Sequence, residues 1–273
     1  MDDQAAVVLA GGRSARMGRP KSGLEWHGAT LLFRTAAVVA RAVAGPVVVV
    51  RAPGQQLPAL PDGVETVEDP VEGLGPMQGV AAGLGHLRDR AAGAFVCSTD
   101  LPFLHPAYVR RVLSGLDDPA VDLVLPTVRG VRQPLAAAYR TTLTAVIEAQ
   151  IGAGNLRVGS LLAHCTAVQP DEAALLADPA VAAADPGLDS VANVNTPEEY
   201  RRARSRPGPD VRVECAGTHR AVPAASVGEA AAAVGLALDR HVLVTVNDEH
   251  VVGDPRLPLV AGDTVVFRGT AAG

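Results

Sequence analysis

Short apolar runs rich in β-branched residues alternate along the chain with longer segments rich in alanine and leucine. The short runs predict strands, and the longer segments predict the helices that connect parallel strands. The predicted strands are Ala6 to Ala10, Pro46 to Arg51, Val64 to Glu68, Ala94 to Ser98, Val121 to Pro126 and Pro134 to Tyr139. Helices are predicted over Leu31 to Ala44 and Pro76 to Arg90. The pattern therefore predicts an α/β fold with a Rossmann-like, mostly parallel sheet.

A second, smaller unit follows a linker of sequence Pro-Gly-Pro at residues 207–209. A run of arginines directly before it marks a helix end, and the prolines predict a stiff connection. Beyond the linker the pattern predicts the order β-β-α-β-β: Val211 to Cys215, Arg220 to Pro223, the helix Val227 to Val234, Val242 to Val246 and Thr264 to Phe267. We therefore predict two domains, residues 1–205 and 210–273, the second of the α+β class.

The composition indicates a globular protein, since 48% of the residues are hydrophobic and 19% are charged. A net charge of -5 argues against a protein that coats nucleic acid. No apolar stretch reaches the ~20 residues of a membrane-spanning helix, and the first residues lack the features of a secretory leader. The three cysteines are scattered, without the spacing of a metal site or a disulfide framework. We expect a cytoplasmic protein that binds neither nucleic acid nor membrane.

A turn rich in glycine and cations follows the first predicted strand. Its glycines, Gly11 and Gly12, let backbone N–H groups approach phosphate oxygens closely. The cations of the turn are Arg13, Arg16, Arg19 and Lys21. Their spacing is neither that of a Walker loop nor that of a dinucleotide-binding fingerprint. The turn predicts a triphosphate site, and Lys21 is the best candidate for holding the phosphates because Pro20 fixes the approach of the chain to it.

Polar side chains are also expected at the same edge of the predicted sheet, where the carboxyl ends of parallel strands meet. Asp100 follows the predicted strand Ala94 to Ser98, and Asn193 and Asn195 precede a predicted helix. Magnesium takes hard oxygen ligands and bridges phosphates through one or two carboxylates. We therefore predict Asp100 as a Mg²⁺ ligand, with the amide oxygen of Asn195 as a second ligand.

Three stretches, in this order, resemble signatures of the nucleotidyltransferases that activate cofactors and sugars. The run from Leu9 to Lys21 is similar to L-A-G-G-x-S-x-R-M-G-x-x-K, Cys97 to Pro102 is similar to C/G-D-x-P, and Asn193 to Glu199 is similar to N-x-N-T-P-E-E. The resemblance is strongest to the molybdenum cofactor guanylyltransferases and covers roughly the first 205 residues, about one domain.

This resemblance implies a Mg²⁺-dependent enzyme that transfers GMP from GTP to molybdopterin and releases pyrophosphate. The predicted catalytic residues are Lys21, Asp100 and Arg16. The predicted nucleotide-binding residues are Leu9, Ala10, Gly11, Gly12, Arg13, Lys21, Asp69 and Asp100. The predicted acceptor-binding residues are Gln133, Asn193 and Asn195. The pair Gly11-Gly12 favours guanine, since cytidylyltransferase relatives more often carry Ala-Gly there.

The sequence departs from the family pattern after the second predicted strand. An asparagine that usually closes this run is replaced by Val50-Arg51-Ala52. Arg51 supplies charge at this place but not the geometry of an amide.

The C-terminal unit resembles the ubiquitin-like β-grasp fold of small sulfur carriers, in topology and in the stretches Val244 to Glu249 and Leu259 to Val265. Such carriers end in Gly-Gly, whose terminal carboxylate is activated and thiolated. This chain ends in Ala272-Gly273. We therefore expect the unit to serve docking or substrate channelling rather than sulfur transfer.

Two alternatives stay open on the sequence. One keeps the fold and changes the reaction, to cytidylyl transfer to molybdopterin or nucleotidyl transfer to a sugar phosphate. The other is a non-catalytic scaffold that presents the β-grasp unit to a partner. The expected small-molecule partners are GTP and molybdopterin, and the expected protein partners are other enzymes of molybdenum cofactor biosynthesis or its apoenzymes.

Overall fold

The structure is a computed structural model that describes residues 4–11, 20–71, 74–251 and 253–269. Within these ranges the strands are β1 (Gln4–Leu9), β2 (Glu25–Trp26), β3 (Ala29–Thr30), β4 (Val47–Arg51), β5 (Glu65–Glu68), β6 (Gly93–Ser98), β7 (Leu123–Val124), β8 (Thr127–Val128), β9 (Val131–Arg132), β10 (Ala136–Arg140), β11 (Ala167–Val168), β12 (Asp210–Cys215), β13 (Thr218–Pro223), β14 (Val242–Val246), β15 (Glu249–Val251) and β16 (Thr264–Gly269).

The α-helices of the same ranges are α1 (Leu31–Ala40), α2 (Pro76–Leu87), α3 (Pro106–Ser114), α4 (Thr144–Gly152), α5 (Glu172–Leu176), α6 (Pro179–Ala184), α7 (Pro197–Arg204) and α8 (Val227–Ala233). Short 3-10 turns lie at Lys21–Gly23, Thr141–Leu143, Val158–Ala163 and Asp189–Val191.

A seven-stranded sheet with the order β11-β7-β10-β6-β1-β4-β5 forms the centre of the N-terminal part. Strand β1 pairs in parallel with both β6 and β4, and β4 pairs in parallel with β5. Only the β10 pairings, with β6 and β7, are antiparallel among the pairs of this sheet that the structure describes. The predicted α/β fold with a mostly parallel sheet is thus confirmed, and β10 is its antiparallel exception.

Helices cover both faces of this sheet, which is why β1, β4 and β6 are apolar along nearly their whole length. Val7 and Leu9 of β1 belong to a core cluster with residues of α2 and α4. Gly83 of α2 lies so close to β1 that a Cβ there would be 2.4 Å from Val7 Cγ1. Ala6 and Val8 point to the opposite face, where α1 and α3 contact the sheet and each other.

Several predicted elements are present with different ends. The helix predicted to reach Ala44 ends at Ala40, and the helix predicted to reach Arg90 ends at Leu87. The strand predicted over Val121 to Pro126 is reduced to the two residues of β7. The carbonyl of Pro126 accepts a hydrogen bond from the N–H of Gln133, at the base of the β8–β9 hairpin. The chain therefore leaves the sheet for this hairpin earlier than the apolar run suggests.

The chain forms two compact units, and the first takes in Met1–Leu24 and Leu31–Pro197. The second takes in Glu25–Thr30 and Glu198–Gly273. A separate, smaller and β-rich unit in the C-terminal part is therefore present, as expected. The domain boundaries at residues 205 and 210 stay a prediction.

The second unit has a five-stranded sheet of order β13-β12-β16-β14-β15. Strands β12 and β16 are parallel neighbours, and the other pairings are antiparallel. Alternate residues of the strands, such as Val211 and Val213, pack with Val227 and Ala230 of α8 in a core of their own. The short helix thus covers one face of a mixed sheet.

The sequence from Ser226 to Glu229 predicts a capping box at the start of α8. Ser226 does cap the helix, because its hydroxyl oxygen accepts from the N–H of Glu229 at 3.3 Å. The carboxylate of Glu229 bonds to the N–H of Ala225 at 2.8 Å, one residue earlier than a capping box requires. Its other oxygen lies 2.7 Å from His27 Nδ1 on the β2–β3 hairpin of the same unit, and these two contacts fix the side chain.

None of the helices in the described ranges is long and apolar enough to cross a membrane. All three cysteines fall within these ranges and none forms a disulfide. Burial raises the pKa of the Cys97 thiol. Cys97 therefore stays protonated and acts as a small hydrophobic residue of β6.

Candidate functional site

The carboxyl ends of the parallel strands β1, β4, β5 and β6 lie at one edge of the sheet. In open α/β sheets, ligands bind at this edge. The predicted site residues that follow these strands are Ala10 and Gly11 after β1, Asp69 after β5, and Asp100 after β6. The sheet therefore brings residues distant in sequence to one edge, as the pattern predicts.

Asp100 is anchored through its side chain and its backbone, and only 9% of the residue is exposed. Its Oδ1 accepts a hydrogen bond from the hydroxyl of Ser98, at the end of β6. Its backbone carbonyl accepts from the N–H of Val194 at 3.0 Å. The carboxylate is thus held in one orientation, with Oδ2 directed at a cation.

That cation is the ammonium group of Lys21. Lys21 opens the short 3-10 turn that follows Pro20. Its Nζ lies 2.8 Å from Asp100 Oδ2 and 2.7 Å from Asn195 Oδ1. Three residues proposed independently from three motifs therefore converge on one point.

The two asparagines of the third motif have different surroundings. Val194 between them is 2% exposed, and its N–H bonds to the carbonyl of Asp100. Asn195 is half-buried and bonds to Lys21, whereas Asn193 is exposed. The structure therefore brings Asn195 to the Lys21–Asp100 pair but shows no such contact for Asn193.

The segment before these asparagines is held by a buried carboxylate that the sequence analysis missed. Asp185, 7% exposed, accepts from the N–H groups of Asp189 at 2.7 Å and Ser190 at 2.9 Å. The hydroxyl of Ser190 in turn accepts from the N–H of His105 at 3.1 Å. These bonds fix the segment that leads to Asn195 against the loop that follows Asp100. An isolated aspartate before Pro-Gly carries no sequence signal for this role.

The nucleotide half of the site begins where β1 ends. The N–H groups of Ala10 and Gly11 both donate to the carbonyl of Val50, at 2.8 and 3.2 Å. A Cβ on Gly11 would lie 3.1 Å from the backbone nitrogen of Ala52. A larger residue at position 11 would therefore require the ends of β1 and β4 to move apart by a few tenths of an ångström, so their close approach favours glycine there, besides any contact with a nucleotide.

Gln55 supplies an amide close to the place where the family asparagine is missing. Its Nε2 donates to the carbonyl of Ala10 at 3.1 Å, and its Oε1 accepts from the N–H of Ala52 at 2.9 Å. Arg51 points elsewhere, since it pairs with Glu68 at 2.7 Å and donates to the Gln55 carbonyl at 2.9 Å. The amide at this edge thus comes from Gln55, while the charge of Arg51 is neutralised by Glu68.

Asp69 lies at the end of β5, where its N–H donates to the carbonyl of Arg51 at 2.8 Å. Its carboxylate accepts from the N–H of Val71 at 3.1 Å. Partial burial raises the pKa of Asp69. The residue is thus placed at the same edge as Ala10 and Gly11.

Gln133 lies between the β8–β9 hairpin and β10. Its side-chain amide donates to the carbonyl of Val131 at 3.1 Å. Two residues later, the carbonyl of Leu135 accepts from the N–H of Ser98 at 3.3 Å. Gln133 therefore stands near the end of β6, on the side of the sheet edge opposite to β4.

Four predicted residues, Gly12, Arg13, Arg16 and Arg19, lie outside the described residues, as do Thr270 to Gly273.

The oxygen donors of the site suit a divalent cation that takes some of its ligands from the protein and the others from phosphates. Among the described residues, no group of three or more His, Cys, Asp or Glu side chains is arranged to hold a metal ion. Asp100 and Asn195 instead present two oxygens to the ammonium of Lys21. Two hard oxygen donors suit Mg²⁺, which keeps several waters and takes its remaining ligands from phosphates.

Arg34 supports the Asp100 loop from the buried side of α1. It is 6% exposed, and its Nε donates to the carbonyl of Pro102 at 2.7 Å. Because helix α1 also packs on the 3-10 turn of Lys21, one helix supports both partners of the Lys21–Asp100 pair.

We expect Arg34→Ala to destabilise the protein by about 2–4 kcal/mol, because it removes a charged hydrogen bond and leaves a buried carbonyl without this donor. Urea unfolding measures the change. The matched control is Arg88→Ala, since Arg88 is exposed just after α2 and its loss should change stability by less than about 0.5 kcal/mol. Equal stability of the two variants would contradict the structural role of Arg34.

The chain is similar in sequence to known proteins. Residues 6–172 match the family described as the MobA-like NTP transferase domain. A probable molybdenum cofactor guanylyltransferase from Mycobacterium tuberculosis (strain ATCC 25618 / H37Rv) is 37% identical over 161 residues, which are 58% of this chain and 78% of that protein. A molybdenum cofactor guanylyltransferase from Rhizobium meliloti (strain 1021) is 32% identical over 205 residues, 73% of this chain and 90% of that protein.

The fold is also similar to a solved structure. The crystal structure of molybdopterin-guanine dinucleotide biosynthesis protein A from Archaeoglobus fulgidus matches with a TM-score of 0.58 at 22% sequence identity. The match covers 73% of this chain and 96% of that chain.

Proposed function

Because the chain belongs to the MobA-like NTP transferase family, we propose that it transfers GMP from GTP to molybdopterin and releases pyrophosphate. Membership of the family makes the chain a nucleotidyltransferase. Two relatives named as molybdenum cofactor guanylyltransferases, at 37% and 32% identity, support the choice of nucleotide and acceptor. The observation that carries the proposal is the convergence of Lys21, Asp100 and Asn195 at the edge where such a sheet binds its ligands.

In this reaction the protein aligns the substrates and neutralises their charge, and it forms no covalent intermediate with them. An oxygen of the terminal phosphate of the acceptor attacks the α-phosphorus of GTP. The bond from the α-phosphorus to the oxygen of the β-phosphate breaks, and pyrophosphate leaves with that electron pair. We propose that Lys21, together with Arg13 and Arg16 of the preceding turn, neutralises the β- and γ-phosphates. Of these three cations, Lys21 lies within the described residues.

Nucleotidyltransferases of this family typically use a divalent metal ion. We assign Mg²⁺ to this chain, held by Asp100 with Asn195 as a second oxygen donor. Mg²⁺ would supply charge neutralisation between the phosphates when bound. Asp100 suits this role because Ser98 and the N–H of Val194 fix its orientation.

The base and the acceptor are assigned to opposite ends of the sheet edge. Leu9, Ala10, Gly11 and Gly12 hold the guanine and ribose, and Asp69 contributes from the end of β5. Gln55 fixes the carbonyl of Ala10, so it shapes this part of the site. The acceptor is assigned to Gln133, Asn193 and Asn195, in agreement with the position of Gln133 next to the end of β6.

For the second unit we propose a β-grasp fold with a docking or channelling role. When the strands of its five-stranded sheet are numbered in chain order, they stand in the order 2-1-5-3-4, and strands 1 and 5 are parallel neighbours. This topology supports the assignment. The protein partners we propose are other enzymes of molybdenum cofactor biosynthesis or apoenzymes that receive the cofactor. Three cysteines without a disulfide suit a reducing cytoplasm as the place of the reaction.

Pyrophosphate release, measured with each nucleoside triphosphate in the presence and absence of molybdopterin, tests the proposal. We expect release with GTP only when molybdopterin is present, and at least about tenfold lower efficiency with CTP, because a site that pairs with one base edge leaves buried polar groups unpaired with another. A sugar 1-phosphate in place of molybdopterin serves as the control acceptor.

The other outcomes separate the alternatives. Equal efficiency with CTP would assign the chain to cytidylyl transfer. Turnover with the sugar phosphate alone would change the acceptor class. If no pyrophosphate is released with any combination of nucleoside triphosphate and acceptor, the non-catalytic scaffold is the remaining alternative.

A further inference from the structure

The ammonium of Lys21 occupies the position between the two oxygens that we assign to the metal. Its Nζ is 2.8 Å from Asp100 Oδ2 and 2.7 Å from Asn195 Oδ1. The side chains of Lys21 and Asp100 are only 18% and 12% exposed, so water screens their attraction weakly. Lys21 therefore neutralises this oxygen pair through direct contacts.

We propose that Lys21 keeps a free divalent cation out of the Asp100–Asn195 pair until a triphosphate draws the ammonium away. The proposal rests on the proposed function. On this proposal the cation enters the Asp100–Asn195 pair only together with the nucleotide.

The charges of the site support this order. The three described groups that these contacts join, one carboxylate, one neutral amide and one ammonium, sum to zero, so together they offer a free cation no net attraction. A divalent ion needs to approach such oxygens to about 2.1 Å, which the ammonium prevents while it bonds to both of them. Two cations so close together in a half-buried site also repel each other strongly.

A triphosphate changes this balance because it offers oxygen acceptors of high negative charge. The ammonium has three N–H donors and a flexible four-carbon stem, so it can exchange Asp100 and Asn195 for phosphate oxygens without a backbone change. The oxygens it leaves then face a cation that the phosphates bring with them. Ser98 and Val194 keep Asp100 in place during the exchange.

Equilibrium binding of Mn²⁺, followed by its electron paramagnetic resonance signal, tests the proposal without turnover. We expect the wild type to bind Mn²⁺ weakly in the absence of nucleotide and more tightly when GTP is also present. Lys21→Met should bind Mn²⁺ at least about tenfold more tightly than the wild type in the absence of nucleotide, because a competing positive charge has been removed. Lys21→Gln provides a second variant that keeps hydrogen-bonding capacity, and circular dichroism checks that both are folded.

Two further variants locate the effect. The gain in Mn²⁺ affinity caused by Lys21→Met should disappear when Asp100→Asn is added to it. Arg90→Met changes the net charge equally, but Arg90 is exposed and pairs with Glu65 at 2.7 Å, so its Mn²⁺ affinity should equal that of the wild type. A gain of the same size in Arg90→Met would overturn the proposal.

Equal Mn²⁺ affinities of the wild type and both Lys21 variants without nucleotide would also overturn it. This result is distinguishable from failure of the proposed function. A negative pyrophosphate assay contradicts guanylyl transfer, whereas equal Mn²⁺ affinities contradict only the exclusion of the cation by Lys21.

Discussion

Asp100→Asn is expected to lower turnover by about 10²–10³-fold, the range for removing one preorganised electrostatic contact from an active site. Asparagine has nearly the same shape and can keep the contact with Ser98, and the backbone bond from Val194 is unaffected. The variant loses the negative charge that pairs with Lys21 and that we assign to Mg²⁺. Steady-state guanylyl transfer at ordinary Mg²⁺ concentration measures the loss.

The matched control is Asp117→Asn, because Asp117 is exposed in the loop after α3. It should retain full activity. Thermal unfolding of both variants should give midpoints close to that of the wild type, so that the loss in Asp100→Asn reflects chemistry. Full activity of Asp100→Asn would remove the metal assignment.

The polar residues that follow strands were the most predictable part of the site. Asp100 follows an apolar run that is recognisable in the sequence, and β6 does form there. Because parallel strands share an edge, the sequence predicts that Asp100 and the turn after β1 lie at the same side. It does not predict that Lys21 Nζ lies within 3 Å of both Asp100 and Asn195, since those contacts join residues 79 and 174 positions apart.

Supporting residues were not predictable for a different reason. Arg34, Gln55 and Asp185 bond to backbone atoms, and any residue type offers such atoms as partners. No pairing of side-chain chemistry therefore marks them in the sequence. The antiparallel direction of β10 was missed likewise, because an apolar run shows that a strand is buried but not which way it runs.

The β2–β3 hairpin shows how short elements escape the pattern. Each strand has two residues, too few for a detectable alternation. Trp26 is nevertheless 3% exposed, and its ring lies 6.1 Å from that of Tyr200 in the second unit. The hydroxyl of Tyr200 also donates to the carbonyl of Glu25. The assignment of this hairpin to the second unit thus depends on contacts made across a long stretch of sequence.

Lys21→Ala is expected to lower kcat/KM for GTP by about 10²–10³-fold, equivalent to roughly 3–4 kcal/mol of transition-state stabilisation. The physical reason is the loss of the Lys21 ammonium, which we propose contacts the β- and γ-phosphates and the departing pyrophosphate. Both KM and turnover should change, because these charges are present in bound GTP and increase as pyrophosphate leaves. Lys21→Arg should recover part of the loss, since it keeps the charge but not the compact ammonium.

The matched control for Lys21→Ala is Arg51→Ala. Arg51 lies at the same edge of the sheet, but its charge is neutralised by Glu68 at 2.7 Å, so its loss should change kcat/KM for GTP by less than about threefold. If Lys21→Ala has unchanged kinetics, the phosphate contacts belong to Arg13 and Arg16 of the preceding turn. If Arg51→Ala is as damaging as Lys21→Ala, the charge of Arg51 takes the role of the missing family asparagine, and Gln55 does not replace it.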